Sequence, residues 1–245
     1  KILKIYKVFE NNLKILNNPN KIAISVSGGQ DSLALCFLAS CYKFNQKNNI
    51  KTFFYLVDHR LRKNSSTEAK LVKKKLVLKK INLNILKWKG KKPNSNLQSL
   101  ARQNRYKLLF QECKKFNIKT ILTAHHKDDV YETFFSRLLR GSGTEGLSSF
   151  LEIEKKFQFN GKTITLARPL LYFNKKDLLY VTKKVFNFYI DDPSNKMEKF
   201  QRARIRKLII GLKKEGLDFK KLNLTLNNLS STNKAINEIV NNNIS

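Results

Sequence analysis

Ser25-Val26-Ser27-Gly28-Gly29-Gln30-Asp31-Ser32 follows the β-forming run Ile22-Ala23-Ile24 and precedes the helical run Leu33-Ala34-Leu35-Cys36-Phe37-Leu38. It reads as a strand, a tight turn and a helix N-terminus. Two glycines let the backbone approach a ligand closely, and the free N–H groups at the helix start, with the positive end of the helix dipole, favour an anion. The loop therefore predicts a phosphate site. A Walker A loop needs a lysine after its second glycine, whereas Gly29 is followed by Gln30 and Asp31, so the usual β/γ-phosphate grip of a kinase or GTPase is missing.

Outward from the loop, apolar strands alternate with helices. Ile2, Ile5, Tyr6, Phe9, Leu13 and Leu16 fall at helical spacing ahead of the first strand, and the loop's own helix runs to about Phe44. Residues 52–57 (TFFYLV) form a second strand ending at Asp58-His59, and Ser65-Ser66-Thr67-Glu68 offers a capping box for a helix to about Lys80. Asn84–Trp88 predicts a third strand, and Ser95-Asn96-Leu97-Gln98 a second capping box opening a helix through Phe116. Thr120–Ala124 predicts a fourth strand and Asp128–Leu139 the next helix. This alternation predicts an α/β fold, a doubly wound parallel sheet with helices on both faces, whose ligand sits beyond the carboxyl ends of the strands. The unusual polar residues obey that rule: Ser27, Asp58 and His125 each follow a strand.

After Leu139 the pattern changes. Residues 140–146 (RGSGTEG) read as a flexible link, and residues 157–165 as a hairpin turning on Asn160-Gly161. A helix from about Lys175 to Phe186, the turn Asp191-Asp192-Pro193-Ser194-Asn195, a basic helix from about Glu198 to Leu212 and one or two packing helices follow. The boundaries drawn are 1–140 for a nucleotide-binding domain and 141–245 for a smaller, mainly helical one.

The 245 residues are 41% hydrophobic, enough for a full core, and carry a formal net charge of +31. Such an excess points to a polyanion, nucleic acid ahead of a membrane, although a general preference for Lys, Asn and Ile accounts for part of it. Arginine is the cleaner witness, occurring at Arg60, Arg62, Arg102, Arg105, Arg137, Arg140, Arg168, Arg202, Arg204 and Arg206, in or beside the segments singled out here. Cys36, Cys41 and Cys113 form neither a C-x-x-C pair nor a metal-spaced set and fit buried thiols in a reducing compartment. With no apolar run of about 18 residues, the chain reads as soluble and cytoplasmic, without a membrane partner. His125-His126-Lys127-Asp128-Asp129-Val130-Tyr131-Glu132-Thr133 places Asp128 and Glu132 on one helix face, which suits a cation and equally suits a helix start that favours acids.

The Ser-Gly-Gly-x-Asp-Ser pattern of residues 27–32 resembles the PP-loop of the ATP pyrophosphatases, which cut ATP between its α and β phosphates. Joined in order by Val57-Asp58-His59-x-Leu61-Arg62, Ala101-Arg102-x-x-Arg105-Tyr106, the His-His-x-Asp-Asp-x-x-Glu-Thr stretch and Asp192-Pro193-Ser194-Asn195, it resembles the tRNA(Ile)-lysidine synthetases over roughly residues 21 to 212. The resemblance implies a Rossmann-like PP-loop fold. It also implies ATP-dependent ligation of free L-lysine to C2 of the wobble cytidine of tRNA(Ile) with a CAU anticodon. In that chemistry cytosine O2 is adenylated with loss of pyrophosphate, and the lysine ε-amine then displaces AMP.

By the same resemblance Ser27, Gly28, Gly29, Gln30 and Ser32 hold the pyrophosphate, Asp31 positions Mg²⁺, and Asp58 and His59 border the adenine and ribose. Asp128, Asp129 and Glu132 hold the lysine or take up its proton, Arg102, Arg105 or Arg140 faces the phosphate charge, and Arg140, Arg202, Arg204 and Arg206 contact the tRNA. PP-loop thiolases use paired reactive cysteines, which this sequence lacks. A tRNA-binding protein with a vestigial ATP site would not need the intact loop. The oligomeric state stays open, with a homodimer among the options.

Overall fold

The computed structural model describes residues 1–16, 19–45, 50–62, 64–90, 97–191 and 201–244. Among them, β1 (Lys21–Val26), β2 (Lys51–Asp58), β3 (Leu83–Lys87), β4 (Thr120–Leu122), β5 (Glu154–Phe159) and β6 (Lys162–Ala167) form one sheet in the order β3-β2-β1-β4-β6-β5. Every neighbouring pair is parallel except the β5–β6 hairpin. The central strands are apolar on both faces because helices cover both. On one face Ile22, Ile24, Phe54 and Leu56 pack with α1 (Ile2–Lys14), α2 (Gln30–Asn45), α3 (Ser65–Val77) and α7 (Lys175–Phe186). On the other, Ala23, Tyr55 and Ile121 meet Leu109, Phe110 and Cys113 of α4 (Leu97–Lys115). The doubly wound sheet expected from the alternation is the fold observed.

Contacts divide the chain into two compact units, Lys1–His126 with Ile153–Asp191, and Lys127–Glu152 with Asp192–Ser245. This grouping differs from the boundary drawn at 140. The hairpin belongs to the sheet, since β6 pairs with β4 in the register Thr120↔Thr165, Ile121↔Leu166 and Leu122↔Ala167. Conversely, α5 (Lys127–Leu138) belongs to the helical unit, with α6 (Thr144–Ser148), α8 (Gln201–Lys214) and α9 (Phe219–Ile244). That unit closes over Val130, Tyr131, Phe134, Ile205, Ile209, Leu222 and Leu226. The Tyr131 ring stacks on Phe219 at 4.2 Å, and its hydroxyl donates to Asn223 Oδ1 at 3.1 Å.

Smaller differences have local causes. The link expected over residues 140–146 runs into α6, because Arg137 donates to the Gly146 carbonyl and to Ser149 Oγ at 2.9 Å. Among the described residues, the last thirty positions hold a single helix, α9. Ser65 and Ser66 do not cap α3; its N-cap is Asn64, without a side-chain bond, and the two hydroxyls are drawn to Asp58 instead. The turn Asp192-Pro193-Ser194-Asn195, the start of the basic helix at Glu198 and the capping residues Ser95 and Asn96 lie outside the described residues.

Candidate active site

β1 lies between β2 and β4, so the chain's direction of travel across the sheet reverses there, and the carboxyl ends of β1, β2 and β4 open on one edge. Such a switch point is where an open α/β sheet accepts a ligand. The loop after β1 is tied down there. Gly28 has φ +83°, and a Cβ on it would fall 2.7 Å from Val72 Cγ2 and 3.3 Å from Ile190 Cγ1. Only glycine fits both the conformation and the space. The Gly28 carbonyl accepts from the Ile190 N–H at 2.9 Å, and the Gln30 carbonyl from Thr182 Oγ1 at 2.6 Å.

Inside the loop, Ser32 Oγ donates to the Gly29 carbonyl at 2.9 Å and accepts from Ser27 N at 3.2 Å and Ser27 Oγ at 3.1 Å. The first helical bond of α2 runs from Leu33 N–H to Gly29 O at 3.1 Å, leaving the N–H groups of Gln30, Asp31 and Ser32 outside the helical ladder. A loop held on both sides with donors at a helix start is a preorganised anion cradle.

Asp31, in the first turn of α2, has its Oδ2 3.4 Å from Nε2 of His126, and its Oδ1 accepts from Gln30 Nε2 at 3.4 Å. His126 is buried, so this contact links the segment that follows β4 to the phosphate loop inside the unit. Among the described residues no group of three or more His, Cys, Asp or Glu could hold a metal. Mg²⁺ needs less, since it keeps several waters and binds through one or two carboxylates plus substrate phosphates. Asp31 beside the cradle fits that pattern.

Asp58 closes β2 and is 3% exposed. It accepts from Ser65 Oγ at 2.8 Å and the Arg60 N–H at 3.0 Å through Oδ1, and from Ser66 Oγ at 2.5 Å through Oδ2. Burial alone would raise its pKa; the bonds from Ser66, Ser65 and the Arg60 backbone, with the Arg60 charge, outweigh burial and hold it below the ordinary carboxylate value. Asp58 is thus a brace that joins β2 to α3. Burial, then the Arg105 charge, push His59 down to about 4 against the pull of Asp58, so the imidazole is neutral at pH 7. Its Nδ1 is buried with no hydrogen-bond partner among the described residues, as is Arg105 Nε. Arg102 and Arg105 stand over the Tyr106 ring at 5.1 and 5.3 Å.

In the helical unit, Asp128 and Asp129 occupy the first turn of α5, and Glu132 is 4% exposed. Arg206 Nε donates to Glu132 Oε1 at 2.5 Å and its Nη2 to Oε2 at 3.3 Å. Burial works to lower the Arg206 pKa, but the bond to Glu132 and the charges of Glu132, Asp129 and Asp128 raise it above its ordinary value. Arg206 therefore faces the carboxylates of α5. Arg202 and Arg204 are exposed on α8, and Arg140 Nη2 donates to Gln201 Oε1 at 2.5 Å. The sequence reading missed His126, Thr182 and Ile190. The doubled histidine was a local signal for the first, and nothing near residues 182 or 190 announces the other two.

A glycine loop braced at the switch point of a doubly wound sheet defines a nucleotide-handling α/β protein, and the chain belongs to the PP-loop domain family, which matches residues 2–212. Among its relatives it is similar to tRNA(Ile)-lysidine synthase of Bradyrhizobium diazoefficiens, 35% identical over 221 residues, covering 90% of this chain and 60% of that protein. It is likewise similar to that of Rhodopseudomonas palustris, 38% identical over 202 residues, covering 82% of this chain and 57% of the relative. The chain thus spans about three fifths of the length of these curated relatives. A U34-tRNA thiolase of Methanococcus maripaludis shares the fold, with a TM-score of 0.68 and 17% identity over 87% of this chain and 74% of that one.

Proposed function

We propose that the protein uses ATP and Mg²⁺ in the cytoplasm to join free L-lysine to C2 of the wobble cytidine of tRNA(Ile) with a CAU anticodon. The observation that carries this reading is the braced loop Ser27–Ser32 with Asp31 set beside it by His126. The fixed N–H groups and hydroxyls receive the pyrophosphate end of ATP and stabilise the charge that develops as it leaves. Mg²⁺, when bound with the substrate, neutralises phosphate charge. His126 keeps Asp31 oriented toward that work. Cytosine O2 attacks the α-phosphorus and pyrophosphate departs; the deprotonated lysine ε-amine then attacks C2 and AMP departs.

Asp128 and Asp129 are the carboxylates proposed for the lysine, to pair with its ammonium or accept its proton. Glu132, already neutralised by Arg206, holds α5 in place for them. Arg202 and Arg204 are the proposed tRNA contacts. Sulfur transfer is disfavoured by the thiols. Burial pushes Cys36 and Cys41 above the ordinary value and Cys113 up to about 12, the reverse of a reactive cysteine.

The test is incubation with ATP, Mg²⁺, labelled lysine and a tRNA(Ile) transcript bearing CAU. Label in the RNA with stoichiometric AMP supports the reading, and tight tRNA binding without label ends it.

A further inference from the structure

A cavity of about 770 Å³ opens in the sheet unit along its β3 edge. Its floor is the outer strand itself, and α3 and α4, which cover opposite faces of the sheet, line it from either side. Arg60 after β2, Lys70 and Lys73 of α3, Lys87 of β3 and Lys115 of α4 line it, against two carboxylates. One of those carboxylates, Asp58, is buried and engaged by its own hydroxyl and N–H donors. All five cations are exposed. An aromatic ring that is 39% exposed, Phe116, stands among them, stacked on Phe53 at 5.6 Å, with Lys115 Nζ over it at 5.2 Å, a contact that a stacked base displaces as Lys115 turns to phosphate. Lysine on an edge strand is a common guard against edge-to-edge pairing, but four of the five cations come from other segments and converge on one concavity.

Concave positive charge from several elements with a stacking surface in its wall is the pattern of a single-stranded nucleic-acid groove. We propose that this groove seats a stretch of tRNA backbone outside the reacting nucleotide, its phosphates on Lys70, Lys73, Lys87 and Lys115 and a base against Phe116. The proposal rests on the tRNA-modifying reading above and adds a second place where the RNA is held. It also gives the +31 charge a definite local use.

The experiment compares Lys70→Glu/Lys73→Glu with a charge-matched control, Lys183→Glu/Lys184→Glu, on exposed positions of α7. Both lower the formal charge from +31 to +27, two lysines each losing one positive and gaining one negative charge. Thermal unfolding verifies that both fold. Binding to a tRNA(Ile) transcript is then titrated across a salt series. The groove variant is expected to bind about tenfold more weakly than the control, with a log–log salt slope smaller by about 1.4–1.8 for two lost phosphate contacts. Phe116→Ala is expected to weaken a single-stranded RNA oligomer while leaving the salt slope unchanged. Equal weakening by groove and control variants means that net charge alone is felt and overturns the groove, as does wild-type tRNA affinity in the groove variant. Lysine incorporation by the wild type is scored separately. Absence of incorporation with intact groove-dependent binding condemns the synthetase reading alone, and incorporation with groove-independent binding condemns the groove alone.

Discussion

Arg206 of α8 grips both carboxylate oxygens of Glu132 of α5, and this pair lies under the first turn that displays Asp128 and Asp129. Removing one member of a buried ion pair strands the other, a larger penalty than the pair is worth. Glu132→Ala should therefore cost about 2–3 kcal/mol of stability in denaturant unfolding, somewhat under the usual range for buried pairs because Arg206 is a third exposed. Glu132→Gln should cost less. If Glu132→Ala unfolds like the wild type yet abolishes lysine transfer, Glu132 acts on the substrate and the bracing role is wrong.

Gly28 admits no side chain. A residue with a Cβ meets an unfavourable left-handed conformation and Val72 at 2.7 Å, with Ile190 at 3.3 Å. Backbone strain of this kind costs about 1–3 kcal/mol, and relief requires moving the loop off its Ile190 anchor. Gly28→Ala is expected to raise the KM for ATP and depress pyrophosphate release at least tenfold. Pyrophosphate release at the wild-type rate would show that the loop does not grip ATP through its backbone.

Much of this was legible in the sequence, and what was not shares a physical reason. Strand and helix periodicity gave the alternation up to α5, and α7 begins and ends at the expected Lys175 and Phe186. The hairpin was legible as a hairpin, but its membership of the sheet depends on β6 meeting β4, a pairing that no local pattern encodes. Ser65 and Ser66 have the letters of a capping box, and a capping box and a brace for Asp58 use the same hydroxyls. Likewise Thr182 reaches the Gln30 carbonyl across 152 positions. Arg206 was read with its neighbours as an RNA contact, and a basic helix does not reveal which of its arginines pairs with Glu132.

His59 predicts an acid limb in the stability curve. Its folded value of about 4 lies below the ordinary 6.5. Between those values the unfolded chain binds the proton and the folded one does not. The folded state is fully favoured above pH 6.5 and loses that advantage as pH falls toward 4. Asp58, also depressed, contributes in the same direction only below the ordinary carboxylate value. His59→Gln should flatten the fall in Tm between pH 6.5 and 4 and leave the steeper loss below it. An unchanged slope in that window would mean that His59 is solvated in solution.

His126 predicts a kinetic signature that separates positioning from packing. Its Nε2 lies 3.4 Å from Asp31 Oδ2, while the histidine is buried in the segment between β4 and α5. His126→Leu removes the histidine's contact and leaves the Asp31 carboxylate with its bond from Gln30 Nε2, whereas His126→Gln keeps an N–H donor of similar reach. At 3.4 Å the contact is longer than a charge-assisted hydrogen bond, and its loss corresponds to about 0.5–1.5 kcal/mol. For His126→Leu, the Mg²⁺ concentration giving half-maximal pyrophosphate release should therefore rise about two- to tenfold, and His126→Gln should recover most of it. Asp31→Asn should be worse than either at every Mg²⁺ concentration. If His126→Leu keeps the wild-type Mg²⁺ dependence and merely melts earlier, the histidine packs the segment after β4 and does not orient Asp31.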